Sequence, residues 1–419
     1  MSLKLWKDLS PEASPLRAPS PNAAHILIIG AGVIGLTTAW LLLDKGYKVT
    51  IVSNEWASYS DKQRLTSQIA GALWEFPPAV CGQHTDVISL INSKRWCMAN
   101  YDIWDAVACL SLPESTGVRM KTAAFFFTKQ IAGNLNLLQK VRELKASGVR
   151  DFIHDAALIQ KHNINPAYGI VDSFEHLAPV IDTDTCMAWL TALVRKKGAV
   201  LTTQTISGDL YTQESTLRQL FNADAIVNAT GLAALDLAGD NSVYPIRGAL
   251  IRIVNDGSDF PKITTAMAVP AGLNSGSPSS PSDEIVFLVP RTDDILVLGG
   301  IAEPHEWNLD LSLDSPVIKC MRDRCGSFLP MLKNARVDSE YPLAQGLRPF
   351  RGQNVRVERE LRMHNEKPSR IVHNYGHGGA GWSLCFGCAG DVLKLVEDAL
   401  LDRDPVAMGR MVLQGKAKL

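Results

Sequence analysis

Residues 25–52, HILIIGAGVIGLTTAWLLLDKGYKVTIV, constrain the possible fold more than any other stretch of the chain. They open with a β-branched apolar run, which is typical of a parallel strand buried on both faces. Gly30, Gly32 and Gly35 follow as GxGxxG, and the pattern continues with good helix formers over residues 36–45 and a second alternating strand over residues 48–52. The stretch therefore predicts a strand, a tight turn, a helix and a parallel strand.

Each glycine of this motif has a physical role in a dinucleotide site. Gly30 allows the tight turn, Gly32 lets a pyrophosphate approach the backbone, and Gly35 lets helix and strand pack closely. The alternative is a close-packed α/β turn that binds nothing. An acidic residue after the second strand would accept from the adenosine ribose. Here the sequence leaves open whether Asn54 makes a neutral version of that contact or Glu55 supplies the charge.

Length and charge exclude several classes of protein. A chain of 419 residues exceeds a single average core, so we expect two domains. The 42 Lys and Arg residues balance the 43 Asp and Glu residues, so no bulk field attracts nucleic acid or an anionic membrane. The long apolar runs are used by the strand and helix of residues 25–52, which leaves no membrane span.

The two ends of the chain and its cysteines give further expectations. Residues 1–24 are rich in Pro, Ser and Ala and predict a flexible extension. The eight cysteines are scattered and are expected to be reduced thiols. Cys385 and Cys388 form CxxC in an apolar run, which favours buried packing over a redox pair. The final Ala-Lys-Leu is a near variant of a peroxisomal address, so we expect peroxisomal localisation.

Between these landmarks helices and strands do not alternate regularly, which favours a second domain inserted into the first. Residues 271–283 are rich in Gly, Ser and Pro and predict a mobile lid or a plain surface loop. The predicted helices are residues 89–108, 135–144, 184–197 and 388–401, and the predicted strands are residues 121–128, 199–203, 225–229, 244–254 and a hairpin over 284–300.

Residues 371–383, IVHNYGHGGAGWS, predict a strand followed by a glycine-rich turn that leads towards a helix. Such a turn presents bare backbone amides and a partial positive charge, which in a flavoenzyme would stabilise the anionic reduced ring. A simple glycine-rich turn is the alternative. His373 and His377 are four apart, but the intervening glycine argues against a helix, so we expect no metal site. An exposed His377 could also act as a proton shuttle.

Three arginines stand in or near an apolar strand pattern, where a guanidinium needs a partner. Arg351 and Arg356 are expected to form structural salt bridges, for instance to Glu358 or Glu360. Arg348, in GLRP, is the better candidate for binding a substrate.

Together these motifs resemble the D-amino-acid oxidase family, over most of residues 26–400. The motifs that carry the resemblance occur in the family's order: GxGxxG, residues 70–74 (AGALW), 229–231 (ATG), 247–248 (RG), 346–349 (GLRP) and 373–381 (HNYGHGGAG). The resemblance implies an α/β fold in which a Rossmann-like FAD-binding domain is interleaved with an α+β substrate-binding domain. The expected ranges are residues 1–24 for the extension, 25–74, 176–236 and 340–404 for the FAD-binding domain, 75–175 and 237–339 for the substrate-binding domain, and 405–419 for the tail.

The resemblance also implies an activity and its residues. The enzyme would oxidise D-amino acids to 2-oxo acids and ammonia, passing hydride to flavin N5 and electrons to oxygen to give hydrogen peroxide. Arg348 matches the arginine that binds the substrate carboxylate, and Gly379 matches the glycine whose carbonyl accepts from the amine. The FAD-contacting positions would be Gly30, Gly32, Val33, Ile34, Gly35, Asn54, Thr66, Ser67, Gly71, Ala72, Leu73, Ile206, Thr230, Gly231, Gly378, Gly379, Gly381, Trp382 and Ser383.

The sequence departs from the family in the substrate pocket. Phe287 stands where the family places a tyrosine, residues 271–283 contain no tyrosine, and Glu75 adds a charge that would favour a basic side chain or an amine. Alternatives are therefore a member acting on D-aspartate or on another amine or imino compound, a non-catalytic FAD-binding protein, and a nicotinamide dehydrogenase. As partners we expect an amino acid and oxygen, with a peroxisomal import receptor and a second copy in a homodimer as further candidates.

Overall fold

The computed structural model describes residues 5–60, 63–76, 87–110, 113–270, 285–352, 354–364 and 367–407. In chain order the strands are β1 (His25–Ile29), β2 (Lys48–Ser53), β3 (Val118–Phe127), β4 (Ile153–His154), β5 (Asp172–Ile181), β6 (Val200–Thr203), β7 (Ala225–Asn228), β8 (Val243–Val254), β9 (Ala266–Val269), β10 (Val286–Pro290), β11 (Ile295–Gly299), β12 (Glu303–Pro304), β13 (Leu343–Arg351), β14 (Arg356–Arg359), β15 (Met363–His364), β16 (Lys367–Pro368) and β17 (Ile371–Tyr375).

The described residues also form α-helices and single 3-10 turns, such as Ile131–Gly133 and Gly231–Ala233. The α-helices are α1 (Leu5–Asp8), α2 (Val33–Asp44), α3 (Thr66–Ile69), α4 (Val87–Ala108), α5 (Pro113–Thr116), α6 (Leu135–Ser147), α7 (Leu158–Lys161), α8 (Thr183–Lys196), α9 (Glu214–Leu220), α10 (Ala234–Leu237), α11 (Pro316–Phe328) and α12 (Gly381–Leu400).

The first sheet has the strand order β14-β17-β7-β1-β2-β6. Its pairings are parallel except for that of β14 with β17. Strand β1 lies in the middle, and its residues Ile26, Leu27 and Ile28 have no solvent exposure. The predicted strand, turn, helix and strand of residues 25–52 are confirmed, although α2 begins at Val33, three residues before the predicted helix.

The second sheet follows the order β12-β8-β11-β10-β9-β3-β5-β4, with β13 also paired to β8. Its pairings are antiparallel except for that of β3 with β9. The predicted α/β fold with a second α+β unit is confirmed. Strand β13 falls in the range 340–404 that we grouped with the first domain, yet it hydrogen-bonds along its whole length to β8. The division into domains stays a prediction.

The segment before β1 differs from the flexible extension that its composition predicts. Leu9 and Ser10 are buried, and the amides of Ser10 and Leu16 donate to the carboxylate of Asp44 at 2.6 and 2.9 Å. The indole of Trp40 donates to the Ser10 carbonyl at 2.9 Å. This segment is therefore attached to the last turns of α2 by hydrogen bonds that its own composition does not reveal.

Two predictions lie outside the described residues, namely the lid or loop of residues 271–283 and the Ala-Lys-Leu tripeptide. Among the helices that the structure describes, none has the length and apolar composition needed to cross a membrane.

Candidate functional site

A cavity of about 480 Å³ lies between the two sheets, and segments from both sheets line it. All but one of the predicted site residues lie on its wall, with Gly35 as the exception. The lining residues among them are Gly30, Gly32, Val33, Ile34, Asn54, Thr66, Ser67, Gly71, Ala72, Leu73, Ile206, Thr230, Gly231, Phe287, Arg348, Gly378, Gly379, Gly381, Trp382 and Ser383. Residues distant in sequence are thus brought to one place.

The turn between β1 and α2 has no space for a side chain at Gly30. Gly30 has φ +111°, and a Cβ atom there would lie 2.4 Å from the carbonyl oxygen of Ala229. A Cβ atom on Gly35 would lie 2.0 Å from the carbonyl oxygen of Gly30, which explains why Gly35 packs behind the turn instead of lining the cavity. Gly32 caps α2, whose first turn contains no acidic residue. The bare backbone and the positive end of the helix dipole fit a pyrophosphate group.

The carboxyl end of β2 leaves the question of the ribose contact open. Asn54 and Glu55 both line the cavity, and both are exposed. The Ser53 hydroxyl donates to the Glu55 carbonyl at 2.6 Å, which fixes the backbone of this turn. Either side chain remains available to accept from a ribose.

The glycine-rich turn after β17 leads directly into α12. The helix begins at Gly381, so our prediction of a start at residue 388 was seven residues too late. Gly387 caused this error, because a glycine in a helix interior is unfavourable by propensity. Here it allows close packing, since a Cβ atom on Gly387 would lie 2.3 Å from the Cα of Trp96. The positive end of α12 therefore borders the cavity, where Gly381, Trp382 and Ser383 line it.

The CxxC cysteines lie inside this helix. Cys385 and Cys388 are both fully buried, and burial raises the pKa of both thiols. The thiol of Cys385 donates to the side-chain oxygen of Asn100 at 3.1 Å. These contacts agree with a packing role.

The two histidines near the turn are buried. The Nε2 atom of His373 lies 3.2 Å from a carboxylate oxygen of Glu360, and burial lowers the pKa of His373. His377 lines the cavity but is only 2% exposed, so the exposed proton shuttle considered from the sequence is wrong. Burial lowers the pKa of His377 to about 3, which keeps its ring neutral. In the described part of the chain no three His, Cys, Asp or Glu side chains cluster as metal ligands would.

Arg348 lies on strand β13 and lines the same cavity. Its Nη1 atom donates to the Ile301 carbonyl at 3.0 Å, and its guanidinium lies so close to Gly248 that a Cβ atom there would be 2.3 Å from Nη1. The amide of Gly378 donates to the carbonyl of Pro349 at 2.9 Å. This bond holds the glycine-rich turn against the residue that follows Arg348.

The other two arginines form structural ion pairs. Arg356 pairs with Glu358 at 2.8 Å, as expected. Arg351 pairs instead with Asp240 at 2.7 Å, which corrects the suggestion of Glu358 or Glu360. Asp240 also accepts from the hydroxyl of Tyr375 at 2.8 Å. Partial burial raises the pKa of Asp240, but the hydrogen bond from the Ser242 hydroxyl and the contacts with Arg351 and Tyr375 outweigh it and lower the pKa to about 2.

The wall near Arg348 is apolar. Leu250, Ile285 and Ile301 line it together with Phe287, whose ring lies against Gly71. A Cβ atom on Gly71 would lie 2.2 Å from Cε1 of that ring. Glu75, which we expected to add a charge for a substrate, pairs with Lys140 at 2.7 Å. The ion pair reduces the charge that Glu75 presents to the cavity.

Sequence reasoning missed one buried group beside the cavity. Arg291 stands at the turn of the hairpin predicted over residues 284–300, yet it is 3% exposed and donates to the carbonyl of Ala70 at 2.6 Å. The only available signal was an arginine directly after an apolar strand, which is equally typical of an exposed turn.

Comparisons with known proteins agree with this geometry. The family model described as FAD dependent oxidoreductase matches residues 25–395. A D-amino-acid oxidase from Rubrobacter xylanophilus is 30% identical over 379 residues, which cover 90% of this chain and 97% of the relative. A D-amino-acid oxidase from Streptomyces coelicolor is 28% identical over 373 residues, covering 88% of this chain and 96% of the relative.

Two solved structures share the fold. Glycine oxidase from Bacillus cereus superposes with a TM-score of 0.65 at 17% identity, covering 92% of this chain and 98% of its own. L-alpha-glycerophosphate oxidase from Mycoplasma pneumoniae, solved with FAD bound, superposes with a TM-score of 0.63 at 17% identity, covering 90% and 95%.

Proposed function

Because this chain belongs to the FAD-dependent oxidoreductase family, we propose that it is an oxidase that deaminates D-amino acids, with oxygen as the electron acceptor. The products would be a 2-oxo acid, ammonia and hydrogen peroxide. The bound FAD supplies the hydride acceptor. The protein's own residues bind the substrate, orient it and exclude water.

The observation that carries this proposal is the position of Arg348 in the same cavity as the glycine-rich turn. Arg348 is half-buried, and the bond from Gly378 to Pro349 holds the turn beside it. A guanidinium binds a carboxylate through two parallel hydrogen bonds, and the carbonyl of Gly379 can accept from an amine. These two contacts would fix both substituents of an α-amino acid and thereby orient its Cα–H bond.

We propose that most of the predicted FAD-contacting residues fall into two groups. The turn from Gly30 to Ile34 and the end of β2 would hold the pyrophosphate and the adenosine. Residues 66–73 and the start of α12 would surround the flavin, where the helix dipole would stabilise negative charge on the reduced ring. In this arrangement the first sheet would form the cofactor domain and the second sheet the substrate domain.

The apolar wall favours a substrate with an uncharged side chain. Among the described lining residues the charged side chains are Glu55, Glu75 and Arg348, and Lys140 pairs with Glu75. An acidic substrate side chain would therefore need a cation that the described wall lacks, and an unpaired buried charge is costly. For this reason we expect apolar D-amino acids to be better substrates than D-aspartate. With Phe287 in place of a tyrosine, carboxylate binding would lack one hydrogen bond, at a cost of about 1.5–3 kcal/mol.

The decisive experiment is anaerobic reduction of the purified protein. We would record its flavin spectrum and add D-alanine, D-methionine, D-aspartate and their L-enantiomers. Bleaching by the apolar D-amino acids alone is the expected result. A flavin that none of the D-amino acids bleaches would contradict the proposal.

A variant tests the assigned carboxylate contact. Arg348→Lys should lower kcat/KM for D-amino acids by roughly 10²-fold or more, because lysine cannot make the bidentate contact. The matched control is Arg322→Lys, which changes an arginine that donates to the Ala335 carbonyl at 2.7 Å outside the cavity lining. Equal kcat/KM in the two variants would contradict the role of Arg348.

Peroxisomal import and a homodimer stay predictions. A fluorescent fusion with and without residues 417–419 tests the address, and light scattering of the purified protein tests the dimer. Diffuse fluorescence of the intact fusion in yeast would contradict import.

A further inference from the structure

A buried arginine joins the hairpin of the second sheet to a loop of the cavity wall. Arg291 follows β10, and its amide donates to the Ile295 carbonyl at 2.9 Å within the hairpin. Its Nη2 atom donates to the Ala70 carbonyl at 2.6 Å, and its Nη1 atom donates to the hydroxyl of Thr183. Its Nε atom has no hydrogen-bond partner among the described residues. Both hydrogen bonds of the side chain are therefore accepted by neutral groups.

Helix α3, which directly precedes this loop, is held at two neighbouring carbonyls. The indole of Trp382 donates to the Ser67 carbonyl at 2.8 Å, and the Thr183 hydroxyl donates to the Gln68 carbonyl. With Arg291 on Ala70, side chains from the β10–β11 hairpin, α8 and α12 bind three carbonyls within four residues. Such contacts restrict the backbone more strongly than packing alone, because each bond has a preferred direction.

The conformation of the loop needs this support. Ala72 has φ +51°, a left-handed conformation that L-residues other than glycine adopt rarely. Next to it, Gly71 lies directly against the ring of Phe287. Arg291 and Phe287 both belong to the hairpin, so the arginine and the ring contact neighbouring residues of one loop. The hairpin of β10 and β11 therefore fixes the position of residues 70–72 in the cavity wall.

Burying the charged guanidinium of Arg291 carries a desolvation penalty, which lowers the stability of the folded state. Its burial lowers the pKa to about 10, so the guanidinium remains charged at neutral pH. The nearby Asp182 and Asp184 offset this effect only partly and do not accept from it directly. An apolar residue of the same length would avoid the desolvation penalty. The retained charge is explained by the carbonyls that it holds.

We infer that Arg291, acting with Thr183, is a positioning residue that fixes residues 70–72 at the distance from Phe287 that FAD and substrate require. The part of this inference that concerns substrate rests on the proposed function, whereas the part that concerns FAD rests on family membership alone. The two parts can be measured separately.

The test is an FAD titration of apoprotein monitored by flavin fluorescence. Arg291→Met removes both side-chain bonds and should raise the FAD dissociation constant by roughly tenfold or more. Arg291→Lys keeps the charge and should fall between this variant and the natural protein. Arg322→Met, which removes an arginine bonded to a carbonyl outside the cavity lining, is the matched control and should bind FAD normally.

Chemical rescue separates positioning from a general loss of stability. In Arg291→Ala, millimolar guanidinium chloride should partly restore FAD affinity, whereas the same concentration of sodium chloride should not. If Arg291→Met lowers the melting temperature but leaves FAD affinity and the visible spectrum unchanged, the positioning role is wrong.

A variant that fails to fold would not stop the test. Thr183→Val removes the bond to the Gln68 carbonyl and the bond from Arg291 with little change in volume, and should also weaken FAD binding, by a smaller factor. Normal FAD affinity in Thr183→Val, with Arg291→Met unfolded, would overturn the inference. Because the titration needs no D-amino acid, its result stands even if no D-amino acid proves to be a substrate. If D-amino acids are oxidised, Arg291→Lys should raise their KM more than it lowers kcat.

Discussion

The ammonium of Lys197 lies 2.7 Å from a carboxylate oxygen of Asp44, and neither side chain is exposed to solvent. Asp44 also accepts from the amides of Ser10 and Leu16 and from the indole of Trp40 at 2.9 Å. One carboxylate thus joins the segment before β1, helix α2 and the end of α8. Because the ion pair is surrounded by these bonds, breaking it on one side leaves a buried charge without a partner.

Asp44→Asn should lower the free energy of unfolding by about 3–5 kcal/mol, because the buried ammonium loses its counter-charge. Urea unfolding followed by tryptophan fluorescence measures the change. The matched control is Asp8→Asn, which breaks the partly exposed pair with Lys45 and should cost less than about 1 kcal/mol. Equal losses of unfolding free energy in the two variants would show that the buried pair of Asp44 stabilises the protein no more than the partly exposed pair of Asp8.

Gly71→Ala should weaken FAD binding by roughly tenfold, since the new methyl group would meet the ring of Phe287 and overpacking costs about 1–3 kcal/mol. Combining it with Phe287→Leu should recover most of the affinity, because the smaller side chain makes room. Fluorescence titration of the two single variants and the double variant completes the cycle. Additive losses in the double variant would contradict a direct contact.

Gly30→Ala should abolish FAD binding and destabilise the protein by more than about 2 kcal/mol. The substitution requires φ +111° of an L-residue and forces its Cβ onto the Ala229 carbonyl. Melting temperature and flavin content of the purified variant measure both effects. Gly133→Ala is the control, because a Cβ atom there meets nothing within 4 Å. A yellow, stable Gly30→Ala protein would refute this prediction.

His176 should make stability depend on pH in the mildly acidic range. Burial lowers the pKa of His176 to about 4, so between pH 6.5 and 4 the unfolded chain binds a proton that the folded chain does not. The contribution of His176 to the free energy of unfolding is at its maximum above pH 6.5 and decreases as the pH falls towards 4. His176→Phe, which keeps an aromatic ring near Phe125, should reduce that fall by up to about 3 kcal/mol. Urea unfolding at several pH values tests this, and an unchanged slope would count against it.

Much of the fold could be predicted because its elements follow local patterns. The parallel unit around Gly30 and the hairpin of β10 and β11 depend on periodicity and turn residues near in sequence. The attachment of residues 9–16 could not be predicted, because it depends on Asp44 and on Lys197, far along the chain. The early start of α12 was missed for a similar reason, since only the backbone of Trp96 explains Gly387.

For the candidate site, too, the features with a local sequence signal were predicted and those that depend on a distant partner were not. Glycines with positive φ leave a signature in the sequence, so the turns at Gly30 and Gly378 were found. The pairing of Glu75 with Lys140 and the burial of Arg291 were not found, because a single charged residue carries no sign of which partner meets it. The sequence therefore predicted which segments line the cavity better than it predicted which charged side chains are paired or buried beside it.

The position of β17 inside the first sheet, between β14 and β7, has a consequence for biosynthesis. Strand β17 pairs with β7, which pairs with β1, so residues 371–375 lie two strands from residues 25–29. A ribosome must synthesise nearly 350 residues after β1 before this part of the sheet can close. Until then the apolar edge of β7 is open to wrong pairing. We expect slow folding with strong dependence on chaperones during translation, and truncation before residue 371 should yield aggregated protein rather than a smaller flavoprotein.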